Sequence, residues 1–599
     1  MRSVRSSFHN NNRRRQRQRD IRTSRVHRLK AGLGSVTTAL WERASRTFRN
    51  LGIQKTEVQN ETPLEVDAPS SIETGASALA TGASGSSTGC SGPEADNRSG
   101  SGSSISCARI GNDTVSAGGV GGINTSSTSS PSAITLEIRV VDSISKVSRE
   151  EWDAVVTRCG NGEVNPFLLW SFLHALEESG SAAPRTGWLA QHILVRQVGS
   201  DGQSACCADA GDSDVARASS AGGGPGRLVG CVPIYLKGHS FGEYVFDNAW
   251  ADFASMLGVR YYPKLQAAVP FTPVTGPRLM VTADLAPSQR AAVIRALGKT
   301  LIDMADSMEV SGLHLTFTTA QEWVMLRELG FKQRLAIQFH WDNNGYDSFE
   351  DFLADLKQSK RKGIRQERKS VERAGLSVHR LPGGVLRPAH WDRFHSFYLS
   401  TVDRKWGNAY LTREFFHRLG EALPDRVLLV AACEGTASAS SSSSSCSSAP
   451  DAEQLVAGAL NLVGSHALFG RNWGQVEDRE YRNLHFELCY YQALEEAISR
   501  RLLRVEAGAQ GEHKLQRGYL PSFTYSCHYL RDPQLGAAVD LVLARERRQI
   551  EYTLQVMSLT SSPYKKERTV EALLGKLRSY NSLSSVSSSL DVDEEGQQQ

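Results

Sequence analysis

Apolar residues along this chain fall into short, strand-sized runs separated by polar tracts, and two of the longest tracts are bracketed alike. His192-Ile193-Leu194-Val195 precedes the Ser/Gly-rich stretch 199–226, and Leu228-Val229-Gly230-Cys231-Val232 follows it. Val427-Leu428-Leu429-Val430 precedes the serine run within 436–453, and Leu455-Val456-Ala457-Gly458 follows it. Both patterns predict paired strands joined by an expanded loop, where extra residues cost little. Pro233 has no N–H to donate, so it predicts an edge or a bulge in the strand after the first loop.

The two brackets belong to a longer duplication. Residues 228–239 align without a gap on 455–466, and residues 330–341 on 518–529, with Gly, aromatic, His and aromatic in register at Gly330, Phe331, His340, Trp341 and Gly518, Tyr519, His528, Tyr529. Two ordered matches predict a tandem fold. Each half reads as an early helix (168–178 and 391–400), a strand hairpin carrying the long loop, a helix, a strand, and a final strand opened by Gly and an aromatic residue. In the first half, residues 313–317 form a strand and 320–329 a helix stopped at Gly330. In the second, Phe486, Tyr490, Leu494, Ile498 and Leu502 recur every four residues and predict an amphipathic helix. The order predicts an α/β (α+β) layer fold around a central, largely antiparallel sheet. Its halves span 134–345 and 346–550, and 551–599 reads as a C-terminal tail.

Composition accounts for the remainder. The first fifty residues hold fourteen Lys or Arg against Asp20 and Glu42, a local +12 in a chain of net +4. The rest is therefore about −8, and whole-chain basicity gives no argument for DNA or other nucleic acid. The leader, 1–65, lacks the apolar core of a secretory signal and reads as an organelle transit peptide, for mitochondrion or chloroplast; without one the expectation is cytoplasmic. The alternative is a disordered basic tail, or one that binds nucleic acid. Residues 66–133 are Ser/Gly-rich, with too little apolar surface to offset ordering, and read as a disordered linker. No apolar run reaches the ~18 residues of a membrane span. The ten cysteines show neither a disulfide framework nor metal-ligand spacing, which predicts a reducing compartment and no metal site.

The densest chemistry lies in residues 505–519. Glu506 and His513 are candidate bases for taking a proton from an amine, Lys514 and Arg517 could hold an anionic group, and Gly508 and Gly511 would let backbone amides approach a ligand. The plainer alternatives are an exposed turn imidazole at His513 and a salt bridge from Glu506 to Arg504 or Lys514. In the first half, His239, Glu243, Tyr244, Asp247 and Trp250 alternate with apolar residues, as either a pocket wall binding substrate or a buried network fixing the halves together. The segment 357–369 has seven basic residues and one acid, and helical spacing brings Arg361, Arg365 and Arg368 to one face. With Lys360 they could hold cofactor phosphates, an acidic carrier protein or a tRNA arm, or form a solvated face.

The strings Gly238–Asp247, Tyr261-Tyr262-Pro263-Lys264-Leu265, Val269–Arg278, Gly470-Arg471-Asn472-Trp473-Gly474, Leu484–Tyr491 and Glu506–Tyr519 resemble the FemAB-like proteins of peptidoglycan biosynthesis/recognition, within the GNAT N-acyltransferase superfamily. The resemblance covers roughly 136–550. It implies two tandem GNAT-like domains and an acyltransferase that moves an acyl group from acyl-CoA or a carrier-bound thioester to a small-molecule or peptide amine, with no tightly bound cofactor. Arg471 and Gly474 match the position where such enzymes bind the cofactor pyrophosphate. Val476 stands where a small residue is usual, and Glu477 and Asp478 follow. That departure leaves room for another donor: aminoacyl-tRNA, ranked behind acyl carrier protein and CoA, or no donor at all in a module that only binds peptide or glycan.

Overall fold

The first half supplies β1 (Thr135–Val141), β2 (Trp188–Ala190), β3 (His192–Val198), β4 (Arg227–Val232), β5 (Ile234–Lys237), β6 (Lys264–Ala267), β7 (Met280–Val281), β8 (Gly312–Thr318) and β9 (Lys332–Asp342). The second supplies β10 (Leu376–Pro382), β11 (Val427–Glu434), β12 (Leu455–Val463), β13 (Ala467–Gln475), β14 (Arg504–Glu506) and β15 (Leu520–Leu530). The computed structural model describes residues 108–109, 135–160, 162–198, 226–405, 409–434, 449–508 and 511–595. The leader, nearly all of the linker and most of both Ser-rich loops lie outside the described residues.

Both predicted hairpins are present: β3 pairs antiparallel with β4, and β11 with β12. Pro233 does more than place an edge. Lacking a donor, it ends β4, and the chain turns into a different sheet at β5. The aligned position in the second half is Leu460, where β12 continues but the β12–β13 register shifts. The first half thereby peels off a small sheet of order β1-β3-β4-β7, edged by Ala108–Arg109, while β12 runs unbroken through a sheet of eleven strands.

That large sheet has the order β10-β11-β12-β13-β14-β9-β15-β8-β6-β5-β2. It is antiparallel except at two places, β6 with β8 and β13 with β14. A parallel pair needs a helical crossover, and each half provides one. Helix α1 (Pro287–Ser307) connects the first pair, and the helical segment 484–499 connects the second. Each final strand then sits among the other half's strands: β9 lies between β14 and β15, and β15 between β9 and β8. The β9–β15 ladder is centred on Ala336 opposite Thr524, the same separation that sets Gly330 against Gly518 in the duplication. The register is thus that of a pseudo-two-fold axis, and the halves have exchanged strands.

Helices cover both faces. Helix α2 (Ala320–Arg327) starts with a capping box, Thr319 accepting from the Glu322 amide and Glu322 from that of Thr319. Helices α3 (Gln358–Arg373) and α4 (Pro388–Lys405) open the second half. Strands β11 and β12 are buried almost throughout, consistent with helices on both sides and with their continuous apolar sequence. The crossover α5 begins as Leu484–Phe486, widens into a π turn at Glu487–Tyr491 and continues as Gln492–Ser499. The stripe read at every fourth residue drifts on a 3.6-residue helix, and one wide turn restores it to the core.

The segment read as a tail is helical instead. Helices α6 (Pro533–Thr560) and α7 (Lys566–Glu595) follow β15. Buried Tyr564 donates to the Gly518 carbonyl at 2.8 Å, and Lys576 reaches the Pro521 carbonyl at 2.7 Å. Tyr580 packs on Phe523, with ring centroids 4.7 Å apart. Among the described residues no helix is long and apolar enough to cross a membrane. Because Tyr564 lies 2% exposed in the second core, Tyr564→Ala is expected to cost about 3–5 kcal/mol, read as a lowered urea midpoint; a midpoint unchanged from wild type would return this segment to the status of a tail.

Candidate functional site

Strands β13 and β14 share only three register pairs, Ala467–Arg504, Leu468–Val505 and Phe469–Glu506. Strand β14 then ends while β13 runs on to Gln475, so the two backbones part. A pocket of about 90 Å³ lies there, lined by Asn461, Arg471, Trp473, His485, Cys489, Tyr490 and the small residues Gly470 and Ala507. The β12–β13 register pairs Leu460 with Asn472 and Asn461 with Gly470, which leaves Arg471 as the extra residue of a bulge. Its guanidinium donates to the Phe271 carbonyl and to the Thr272 hydroxyl at 3.2 Å.

Strand alternation divides the site between two faces. Leu468 and Val505 pack with α5 in one core, while Phe469, opposite Glu506, packs in the other. Glu506 therefore faces away from α5. It is 6% exposed and lies opposite His340 across the exchanged strand, with Oε2 3.8 Å from Nε2. Burial pushes its carboxyl up to about 7 against the pull of Arg504, and burial holds the His340 imidazole neutral, well below its ordinary range. Arg504 itself bonds Asp342 at 2.9 Å, so the expected salt bridge to Glu506 does not form. His340 meets the Gln338 carbonyl at 3.2 Å, and Gln338 donates to the Pro273 carbonyl at 2.8 Å. Arg471 and the His340 strand, through Gln338, thus both hold one loop, 269–276. Phe271 in that loop has φ 56° and Tyr244 beside it φ 58°, a region bulky residues avoid unless held there. Phe271 stacks on Tyr410 at 5.1 Å, and Tyr244 and Tyr398 act electrostatically on Arg471.

The remaining residues of the 505–519 cluster are arranged differently from expectation. His513 bonds the Tyr490 hydroxyl at 2.8 Å and lies against the rings of His485 and Phe486, bracing the pocket wall on the α5 side, the side opposite Glu506. Lys514 and Arg517, expected to hold a substrate anion, close the loop. Lys514 donates to the Gly508 carbonyl at 2.8 Å. Arg517 donates through Nη2 to both carboxylate oxygens of Glu367 at 3.0 Å, and stacks on Phe486. Gly508 and Gly511 have φ 72° and 114°, and a Cβ on Gly511 would lie 2.4 Å from the His513 ring. Their freedom shapes the loop.

The cofactor positions change likewise. The string 471–474 is strand, not a turn opening a helix, and a Cβ on Gly474 would lie 1.9 Å from the Phe397 carbonyl. Gly474 is there so that α4 can approach. Lys360 bonds Gln516, Arg365 pairs with Glu350, and Arg368 pairs with Glu487 and Glu495. Arg361 is half-buried, while Lys362 and Lys369 are exposed.

In the first half, His239 bonds the Thr186 carbonyl at 3.0 Å. Glu243 and Asp247 converge on Lys264, whose Nζ is 2.8 Å from Glu243 and also bonds Asp247 and Ser240. Lys237 lies 3.4 Å over the Trp188 ring. Burial raises Glu243 to about 7; burial would raise Asp247 too, but Lys264 outweighs it and holds that carboxyl at about 2. Trp250 meets His528 edge-on at 4.9 Å, and His528 shares a 2.8 Å bond with His314 on the neighbouring strand. This is the buried network joining the halves. Only Tyr244 of that predicted face turns toward Arg471. In the sequence Lys264 stands only within the string 261–265 and His340 only at its aligned position with His528, while His314 and Asn461 carry no signal.

The profile of the FemAB-like family, described as peptidoglycan biosynthesis/recognition, matches residues 143–566. Among solved structures, FemX is similar at 12% identity over 66% of this chain and 98% of that one, with a TM-score of 0.38. L-PGS from Bacillus licheniformis is similar at 10% identity over 53% and 86%, with a TM-score of 0.31. No curated protein matches the chain in sequence. The profile covers well over half of the chain, which is a mixed fold of antiparallel-rich sheets flanked by helices: the chain belongs to the FemAB-like family.

Proposed function

We propose that the protein transfers an aminoacyl group, carried as an ester on tRNA, to an amine acceptor of the kind found on peptidoglycan peptides. The observation that carries the reading is the parting of β13 and β14 at Glu506: a pocket on the α5 side, a buried carboxyl titrating near neutrality on the other. A carboxylate with that affinity can take the ammonium proton as the amine attacks the acyl carbonyl and the C–O bond to the donor breaks. Tyr244, Phe271, Tyr410 and Arg471 form the acceptor side.

The family description supports the peptide acceptor. The extended string 471–474 and the exposed Glu477, Asp478 and Glu480 after it disfavour a CoA pyrophosphate, and support an ester donor over a thioester on CoA or a carrier protein, which ranks second. Exposed Lys362 and Lys369, with Arg361, offer the donor's phosphates a basic strip on α3.

Two outcomes follow. Glu506→Gln, still folded, should lower transfer by about 10²-fold or more. The same substitution should change the pH dependence of stability. The carboxyl ionises near 4.5 in the unfolded chain and near 7 in the folded one, so wild type loses about 3 kcal/mol between those pH values that the variant keeps. Urea melts at pH 5 and pH 8 test this, and parallel curves for the two proteins would remove Glu506 as the base. Secondly, tRNA binding should weaken steeply from 50 to 200 mM salt, and a variant with Arg361, Lys362 and Lys369 changed to Glu should have a shallower salt slope by about one per lost phosphate contact. Transfer from acyl-CoA with none from aminoacyl-tRNA would overturn the donor assignment.

A further inference from the structure

The pocket on the α5 side contains a polar group that the fold leaves unused. Asn461 is 1% exposed and is the one polar residue in β12, whose sequence is otherwise apolar from Leu455 to Val463. Its partner in the duplication is Ile234, 0% exposed and packed in an apolar core. An amide in that position costs desolvation that an isoleucine does not. Its Nδ2 donates to the Ala459 carbonyl at 3.1 Å and to the Leu428 carbonyl at 3.5 Å. Those bonds fix which end of the amide meets the pocket, because a flip would set oxygen against oxygen. The Oδ1 atom has no hydrogen-bond partner. Asn461 is paired with Gly470 in the ladder, and a Cβ on that glycine would lie 3.5 Å from Oδ1, so no side chain of the facing residue covers the oxygen. A buried acceptor left in that state costs free energy until a donor arrives.

The rest of the pocket narrows the choice of donor. A carboxylate or phosphate oxygen would meet Oδ1 lone pair to lone pair, so an anion is excluded there. Trp473, His485 and Tyr490 wall the same pocket with aromatic rings, the Trp473 and His485 centroids 5.2 Å apart and those of His485 and Tyr490 5.5 Å apart. Ring faces attract an ammonium group. Arg471 also lines the pocket, but its guanidinium is bonded to the Phe271 carbonyl and the Thr272 hydroxyl. No carboxylate stands among the lining residues to demand a larger cation. Size sets the last limit. Benzene fills a cavity of about 150 Å³, so one of about 90 Å³ takes roughly four or five non-hydrogen atoms. That is room for an amine, its α-carbon and little more.

We infer that Asn461 recognises the free α-amine of the donor's aminoacyl group, so that an acyl group without that amine, or with the amine already acylated, is rejected. The inference rests on the aminoacyl-transfer reading of this site and adds the group by which such a donor is told from a plain acyl ester. Asn461 sets specificity and moves no proton. A site built around one buried hydrogen bond discriminates strongly, because the analogue that lacks the bond leaves the protein's own acceptor unpaired. An N-acylated amine fails on size instead, since the pocket has no space for the added acyl group.

The test gives the full chain alanyl-tRNA and the same tRNA carrying a propionyl or an N-acetylalanyl group; propionyl is the alanyl skeleton without its amine. Wild type should prefer alanyl-tRNA over either by about 10- to 100-fold in kcat/KM. Asn461→Leu, which keeps the shape and loses the acceptor, should lose the preference over propionyl by slowing with alanyl-tRNA alone. Asn461→Asp keeps an acceptor and should retain it. A second measurement needs no tRNA: alanine methyl ester should raise the melting temperature of wild type, methyl propionate should not, and neither should move that of Asn461→Leu. Equal shifts from the two esters, or none from either in wild type, would overturn the amine site. An Asn461→Leu enzyme that keeps the wild-type preference for alanyl-tRNA would overturn it too, while leaving the transferase reading intact. An ester shift that depends on Asn461 in a protein inactive with aminoacyl-tRNA would keep the amine site and discard the donor.

Discussion

The ladder between Lys332–Asp342 and Leu520–Leu530 is the constraint on which the rest of the molecule depends. By crossing over, each final strand becomes the neighbour of the other half's parallel pair. His340 comes to face Glu506 and His528 to face His314. Neither half contains its own version of this contact. A one-residue slip of the ladder would turn every side chain on it to the opposite face, removing His340 from Glu506 and His528 from Trp250 together. Register and chemistry are therefore the same requirement in this fold.

The two parallel pairs use that shared architecture for opposite ends. Around β6, two lysines and two carboxylates are buried together, and the cluster persists because each charge has a partner; removing one partner from such a group usually costs about 3–5 kcal/mol. Around β14, Glu506 is buried with a neutral imidazole as its facing neighbour and no ion pair within hydrogen-bonding distance. Burial opposes ionisation in both places, raising Glu243 within the paired cluster and the unpaired Glu506 alike to about 7. Pairing accounts for the difference between Asp247 and Glu506, since desolvation is the leading influence on both carboxyls and is overridden by Lys264 at Asp247 but not by Arg504 at Glu506.

Local pattern made much of this legible. The paired strands flanking the two Ser-rich loops, the discontinuity at Pro233 and the helix beginning near Phe486 all follow from period, proline chemistry and apolar spacing. The duplication put His340 and His528 in register before any pairing was known. Strand exchange was not legible, because hydrophobic alternation states which face a strand buries but not which neighbour it chooses. The dense stretch 505–519 lies at the right place for a partly different reason: Lys514, Arg517 and the glycines build the loop, and within that stretch Glu506 is the predicted residue that stands at the parting of the strands, with Arg471 across from it. Asn461 gave no signal, being a single polar residue in an apolar run, and Lys264 stood only within the aromatic string 261–265, with nothing local to indicate its pairing to Glu243 and Asp247. The final helices were missed because Tyr564, Leu573 and Tyr580 are widely spaced buried anchors in a polar sequence.

Native-state hydrogen exchange by mass spectrometry on the full chain tests the exchanged ladder most directly. Amides of 332–342 and 520–530 should exchange last and together, at one opening free energy shared by β8 and β14, because neither half can open without breaking the other's sheet. If the amides of one half exchange at low denaturant while those of the other stay protected, the halves are independent units and the interlocked account is contradicted.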